Sequence, residues 1–265
     1  MQSRSLFTIL ISLLVVSCGR SSEQNLRRAA EAWDSGDYVV AAEEYEQYLT
    51  DNPTGSRSGE ARFQLANIYY LNLHRYEAAR TQYVAFLSQE PSHPNSFAAR
   101  ERLAEVLAEL GRSYEAIAEF ENLNPQDDHE KRRIRLRIAE LYVDQKNYNQ
   151  ALTEYEKVTE SHEYDELSEE AYQREAAIYH IARGQYQLAL PIYQKLAALT
   201  KNPETRRRAL YGSSDCYSGM YRFEEAIKAL REIKDESEQP EITRRISSLE
   251  QRRREAGDAW SRSQP

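Results

Sequence analysis

Small and aromatic positions recur along the chain with the spacing of amphipathic helices. An aromatic residue is followed three positions later by alanine, and four positions after that by a second aromatic residue or leucine. Residues three and four apart share one face of an α-helix, so each copy predicts a helix with one buried face. The copies, of which the third is looser, start at Tyr38, Tyr76, Ser113, Tyr148, Tyr186 and Phe223.

A second amphipathic segment precedes each copy and is separated from it by a short turn. Ala139 and Tyr142 belong to one such segment, and the polar residues 145–147 form the turn that follows. Successive copies start 38, 37, 35, 38 and 37 residues apart, counted between the starting residues given above. A unit of helix, turn and helix that recurs at this spacing predicts an all-α chain of stacked helical hairpins.

This pattern resembles the tetratricopeptide repeat, and the resemblance covers residues 23–236. It implies a right-handed α-solenoid of about six hairpins. A polar capping helix is predicted over residues 237–257, because solenoids need a polar end, and a disordered tail over 258–265. In the family, the small and aromatic residues interlock neighbouring helices. These packing positions are Tyr38, Ala41, Tyr76, Ala79, Ala116, Tyr148, Ala151, Tyr186, Ala189, Phe223 and Ala226.

An apolar run near the N-terminus, residues 6–16, has the length of a secretory signal. As a helix it would rise about 16 Å, whereas the hydrocarbon core of a bilayer is about 30 Å thick. The run ends in the sequence Val-Val-Ser-Cys-Gly, which resembles the bacterial lipobox. The resemblance implies a signal peptide over residues 1–17, acyl chains on Cys18, and a tether over 18–22. Gly19 stands where an inner-membrane retention signal has Asp, which implies an outer-membrane anchor that faces the periplasm.

The composition argues against several functional classes. The net charge of -8 disfavours a nucleic-acid binder, which would carry a basic footprint. The five histidines never fall at the i, i+4 spacing of a helical zinc site, and no phosphate-binding loop or nucleophile elbow occurs. We therefore predict no catalytic residue, metal, cofactor or small-molecule substrate, and an enzyme or solute-transport accessory is the rival class. Basic clusters occur at residues 131–137, 206–208 and 244–254, and they are predicted to be solvated surface. The first is also a candidate contact for an acidic partner or for lipid headgroups.

In tetratricopeptide solenoids, the first helices of successive hairpins line a concave groove that binds peptides or partner helices. The resemblance implies that this groove binds a partner protein here, with an acidic centre that fits lysine or arginine. The positions that correspond to the groove are Gln64, Ile68, Glu101, Glu105, Glu140, Arg174, Ile178, Tyr211 and Asp215.

A more specific resemblance is to the BamD family of the outer-membrane β-barrel assembly machinery. Residues 86–95 are similar to that family's turn of phenylalanine, proline and His-Pro-Asn, and residues 53–58 are similar to its first inter-hairpin turn. The resemblance implies β-barrel assembly components as partners. Six apparent repeats, where that family has five, keep two alternatives open: a pilot lipoprotein for secretin subunits in type IV pilus assembly, and a periplasmic envelope or cell-division coordination factor.

Overall fold

The computed structural model describes residues 22–160 and 164–262, with side chains described as far as residue 256. The predicted signal peptide and Cys18 lie outside the described residues. Within these ranges the regular elements are all helices and there is no strand, so the all-α prediction is confirmed. In the same ranges, no helix combines the length and apolarity needed to cross a bilayer.

The chain forms two compact units, which meet in sequence after Pro125. In unit 1, the helices from Tyr38 to Glu121 each pack against the next along the chain, as stacked hairpins require. A π-helical turn, Ile68–Asn72, extends the third helix. The helices of unit 1 are α1 (residues 22–34 in the described part), α2 (Tyr38–Asp51), α3 (Ser58–Asn67), α4 (Tyr76–Gln89), α5 (Ser96–Glu109) and α6 (Ser113–Glu121).

Unit 2 has the same hairpin organisation and ends in a long single helix. A second π-helical turn, Ile178–Ala182, extends its third helix, and the 3-10 helix Glu236–Glu238 precedes the last. Consecutive helices again pack against each other. The helices of unit 2 are α7 (Asp128–Asp144), α8 (Tyr148–Thr159), α9 (Glu166–Ala177), α10 (Tyr186–Leu199), α11 (Pro203–Gly219), α12 (Phe223–Arg231) and α13 (Gln239–Arg262).

Each turn inside a hairpin reverses the chain through one residue with positive φ, two positions before the second helix. Three of these residues are glycines, as at Gly111 (φ 71°), and three are not: His74 (φ 51°), Lys146 (φ 58°) and Tyr221 (φ 62°). The backbone N–H of the next residue then donates to a carbonyl of the first helix, as in a Schellman motif. This bond reaches back five residues from Asn147 but six residues from Arg75, so the π-helical turn before Arg75 contains one extra residue.

Close approach of neighbouring helices depends on the alanine of each repeat. Ala41, Ala79, Ala116, Ala151, Ala189 and Ala226 are all 0% exposed. The aromatic residue that starts each repeat packs at the edge of this contact, with Phe223 6% exposed and the four tyrosines half-buried. Because a methyl group occupies so little space, the backbones of adjacent helices can lie close enough to exclude water.

The C-terminal helix is longer than predicted. Since α13 continues to Arg262, the prediction of a disordered tail from residue 258 is wrong for residues 258–262. A lone Gly257 costs a helix only about 1 kcal/mol, and the arginine, glutamate and alanine around it favour the helical state. Pro191 does not interrupt α10 either, because it lies on the exposed side, where water can reach the carbonyl that loses its partner.

Arg132 ties together three elements of unit 2. Its guanidinium donates to both carboxylate oxygens of Asp165 (2.6 and 2.7 Å), to the Ser168 hydroxyl (2.8 Å) and to the Val158 carbonyl (2.9 Å). Asp165 also caps α9 by accepting from the Ser168 backbone N–H at 2.9 Å. Arg132 holds the pKa of Asp165 well below its usual range, so this carboxylate stabilises unit 2 above pH 4 or so and less as the pH falls further.

We expect Arg132→Met to destabilise the protein by about 2 to 3 kcal/mol in a denaturant titration. This loss is smaller than the roughly 3 to 5 kcal/mol typical of breaking a buried pair, because the Asp165 side chain is 35% exposed. The control is Arg244→Met, which breaks an exposed i, i+3 pair with Glu241 and should cost less than about 0.5 kcal/mol. Equal losses for the two variants would contradict this role for Arg132.

We expect Lys146→Gly to stabilise the protein by about 0.5 to 1 kcal/mol, since glycine adopts the positive φ of this turn without strain. Gly111→Ala, at the equivalent turn, should destabilise by about 1 kcal/mol for the converse reason. Thermal unfolding of both variants measures this, and a lower melting temperature for Lys146→Gly would show that the lysine side chain itself stabilises the turn.

Candidate functional site

A cleft of about 370 Å³ opens on unit 2 between the first helices of two successive hairpins. We call it the α7–α9 cleft. Residues of α7 and α9 form its sides, the start of the second hairpin helix closes one end, and the π-helical turn lies at its rim. Its lining residues are Glu140, Val143, Asp144, Tyr148, Tyr155, Arg174, Ala177, Ile178, Ile181 and Ala182.

Tyr155 lines the cleft with a hydroxyl group that no described residue satisfies. The residue is 0% exposed, and its oxygen has no hydrogen-bond partner in the described part of the chain. Burial, together with the Glu140 carboxylate, raises the pKa of Tyr155, so the hydroxyl keeps its proton and can donate it. An unsatisfied buried hydroxyl is unfavourable, and a ligand oxygen in the cleft would remove that cost.

The equivalent tyrosines of two other repeats show what Tyr155 lacks. The Tyr83 hydroxyl donates to the Asn67 side chain at 2.7 Å, and the Tyr193 hydroxyl lies 3.2 Å from Nδ1 of His180. All three tyrosines follow the first residue of their helix by seven positions. Two of them are therefore satisfied within their own hairpin, whereas Tyr155 is left available to a bound group.

The charges around the cleft are unevenly compensated. Glu140 accepts hydrogen bonds from Arg137 (2.6 Å) and Arg174 (3.2 Å), so its charge is balanced by its neighbours. Asp144 is exposed and makes no ion pair with any described residue. Ile181 adds an apolar side chain at the rim, where it is 78% exposed. The cleft therefore suits a segment that presents an apolar side chain, a backbone oxygen for Tyr155 and a cation for Asp144.

Three of the predicted groove residues come together in this cleft: Glu140, Arg174 and Ile178. Ile178 is only 4% exposed and contributes to the floor. Asp144, Tyr155 and Ile181 also line the cleft and were not among the predicted groove residues. The signal for Ile181 was an isoleucine three positions after Ile178, on the same face of the helix. No sequence signal marked the unsatisfied hydroxyl.

Tyr211 and Asp215, also predicted to face the groove, contact the C-terminal segment of the chain, although Asp215 stays exposed. Arg245 of α13 pairs with Asp215 at 3.2 Å and lies 4.7 Å from the ring centre of Tyr211. The Tyr211 hydroxyl donates to Glu238 at 2.8 Å. At these two positions the chain's own C-terminal segment therefore supplies contacts, as expected where a polar helix covers the end of a solenoid.

The predicted groove residues of unit 1 are not equivalent to one another. Ile68 is 0% exposed, so its assignment as a groove residue is wrong. Ile178 begins the equivalent π-helical turn of unit 2, is 4% exposed and lines the α7–α9 cleft, so equivalent positions differ between the two units. Gln64 donates to Glu60 at 2.7 Å, Glu105 accepts from Tyr70 at 3.1 Å, and Glu101 is half-buried.

The first basic cluster is used inside unit 2. Arg132 binds Asp165 as described, Arg135 donates to Glu154 at 3.0 Å, and Arg137 donates to Glu140. The prediction that residues 131–137 contact an acidic partner is therefore wrong for these three arginines, because their side chains bind carboxylates of unit 2. Among the described residues, no three His, Cys, Asp or Glu side chains are grouped as metal ligands would be.

Known structures share this architecture. A tetratricopeptide repeat protein from Parabacteroides merdae is 20% identical, with a TM-score of 0.56 over 81% of this chain and 79% of its own. MamA from Desulfovibrio magneticus is 14% identical, with a TM-score of 0.50 over 68% and 94%. PilF from Pseudomonas aeruginosa is 16% identical, with a TM-score of 0.48 over 82% and 92%. At these identities, the similarity concerns the fold alone.

None of the curated protein sequences compared with the chain matches it. The family model for the tetratricopeptide repeat matches residues 26–72, 68–127 and 136–204, which together make up more than half of the chain. Its matches extend over both compact units. With the stacked hairpins and buried alanines described above, this match shows that the protein belongs to the tetratricopeptide repeat family.

Proposed function

We propose that the protein is a lipid-anchored scaffold of the bacterial cell envelope that holds a segment of a partner protein in the α7–α9 cleft. The family match indicates a protein-interaction fold and no enzymatic family. The observation that carries the proposal is the Tyr155 hydroxyl, buried and unpartnered at the cleft wall. A buried donor of this kind is a binding group that has no partner until a ligand supplies one.

The lipid anchor is the second part of the proposal, and it rests on the sequence. Val15 to Gly19 follow the lipobox pattern, with Cys18 at the position that is acylated. Several acyl chains on one cysteine give a durable anchor, because each buried methylene contributes about 0.8 kcal/mol. Gly19 supports an outer-membrane location in which the two helical units face the periplasm.

A role like that of the BamD family in outer-membrane protein assembly is the pathway that we favour. The turn after α4 supports the resemblance, because its residues have defined structural contacts. His93 packs edge-on against Phe86 with ring centres 5.2 Å apart, and the Asn95 backbone N–H donates to Nδ1 of His93 at 3.1 Å. The motif on which the resemblance depends is therefore an ordered turn, in which Phe86, His93 and Asn95 contact one another.

A pilot lipoprotein for secretin subunits is the second candidate. The observation that favours it is the number of hairpins: copies of the repeat start at six positions, and each is the second helix of a hairpin in the described residues. This count exceeds the five repeats of the BamD family. The two candidates require different partners, namely β-barrel assembly components or a secretin.

We expect Cys18→Ala to abolish labelling of the protein by radioactive palmitate and to remove it from the washed outer-membrane fraction. The matched control is Cys216→Ala. Cys216 is 0% exposed, and burial raises the pKa of its thiol to about 12, so this cysteine is unreactive. Labelling that survives in Cys18→Ala would exclude the proposed anchor.

We expect affinity capture of the wild-type protein from membranes to recover either the barrel-assembly insertase or a secretin, which decides between the two pathways. Tyr155→Phe should weaken that binding about five- to tenfold, the effect of one hydrogen bond, without lowering the melting temperature. Tyr83→Phe is the matched control: it loses the bond to Asn67 and about 1 kcal/mol of stability, and it should bind as wild type.

The two variants separate a binding role from a structural one. If Tyr155→Phe is destabilised as much as Tyr83→Phe and still binds normally, then Tyr155 is a packing residue and the α7–α9 cleft is not the partner site. Recovery of a cell-division protein, with neither of the two expected partners, would favour the alternative function in envelope or cell-division coordination.

A further inference from the structure

Two adjoining clefts of about 360 and 610 Å³ lie along the last hairpin of unit 2. They share Arg206, Leu210 and Glu232, so they form one continuous depression, which we call the α11–α12 trough. Second-hairpin helices α10 and α12 flank it, and the first helix α11 lies between them. It has no residue in common with the α7–α9 cleft, which is bounded by first helices.

The floor of the trough is made of small apolar residues and one unsatisfied hydroxyl group. Ala197, Leu210 and Ala229 are 8%, 6% and 7% exposed. Ser213 lines the trough on the same floor and is 3% exposed, and its hydroxyl oxygen has no hydrogen-bond partner among the described residues. A buried serine in a helix can usually bond to a carbonyl of the preceding turn, and Ser213 does not. A ligand oxygen is the partner that this geometry lacks.

Positive charge predominates among the uncompensated side chains at the edge. Arg206, Lys228 and Lys234 line the trough, are exposed, and make no ion pair with any described residue. The acidic residues nearby are mostly compensated, since Glu225 pairs with Arg222 at 2.8 Å and Asp235 pairs with Arg207 at 2.9 Å. This excess of free cations occurs in a chain whose net charge is -8.

Glu232 is the one lining carboxylate that makes no ion pair within the described residues. Three unpaired cations outweigh this single carboxylate, so the trough favours a bound segment that carries several negative charges. The residue of the segment that lies next to Glu232 should be uncharged or positive. A planar anionic membrane could contact the exposed cations, but it does not enter a depression whose polar group is at the floor. A peptide segment reaches both the edge and the floor.

We propose that the α11–α12 trough is a second binding site, which takes an acidic segment of a partner protein. Carboxylate side chains of the segment pair with Arg206 and Lys228, and one of its oxygens accepts a hydrogen bond from the Ser213 hydroxyl. Because the trough is separate from the α7–α9 cleft, the site stands whether or not that cleft binds a partner. Two sites on unit 2 would allow one scaffold to hold two segments.

The test is fluorescence anisotropy with the detergent-solubilised full chain and a fluorescein-labelled peptide of alternating glutamate pairs and leucines. We expect the acidic peptide to bind and the same peptide with glutamine for glutamate to bind at least about tenfold more weakly, because it carries no charge for the trough cations. The double variant Arg206→Glu, Lys228→Glu should weaken binding at least about tenfold, the effect expected for reversing two contacting charges. Ser213→Ala should weaken it about fivefold with an unchanged or higher melting temperature, since it removes an unpartnered buried hydroxyl.

The control variant is Arg75→Glu, Arg254→Glu, which changes the net charge by the same amount at exposed cations that lie outside the trough and make no ion pair with any described residue. It should bind within about twofold of wild type, since long-range charge alone is screened by salt. An equal loss in both double variants, or no binding of the acidic peptide, overturns the proposal. Binding of phosphatidylglycerol vesicles that depends on Arg206 and Lys228, without binding of the peptide, overturns it in favour of a membrane contact.

Discussion

The fold of each unit depends on the burial of a small side chain, alanine, at one position of each repeat where consecutive helices pack together. At this contact, six alanines at the same repeat position have no exposed surface. A larger side chain there would push two helices apart along their whole length, because helices are stiff and pack as rods. Where a tyrosine lies four positions after this alanine, it carries a hydroxyl group, and its neighbours in the hairpin decide whether that hydroxyl has a hydrogen-bond partner. Packing and hydrogen bonding are thus set by one repeated pattern.

The surfaces that can bind a partner are places where this pattern leaves a polar group without its usual partner. Tyr83 and Tyr193 are satisfied within their hairpins, and Tyr155 is not. Ser213 is a second such group, on a helix whose flanking residues carry uncompensated charge. Both lie in unit 2, where the elements are otherwise tied together by the buried guanidinium of Arg132. A rigid frame of this kind holds open clefts in a fixed shape, which lowers the entropic cost of binding.

Much of the fold was predictable because its signals are local. The spacing of alanine and aromatic residues predicted the second helix of each hairpin, and the structure begins those helices at the expected residues, from Tyr38 to Phe223. The groove was predicted less well. Ile68 is fully buried in unit 1, and Arg245, 30 positions away in sequence, pairs with Asp215. Such contacts join distant segments and leave no mark on local spacing.

By itself, the sequence determined the helical class, the repeat length, the packing residues and the family resemblance. All of these follow from side chains that recur three, four and about 37 residues apart, and a helix presents such residues on one face whatever its surroundings. Only the tertiary structure decided which hydroxyl groups remain unsatisfied, which charges are compensated and where clefts open. These properties depend on side chains that come together from different helices. The identity of one such side chain cannot be predicted from residues near the other in sequence.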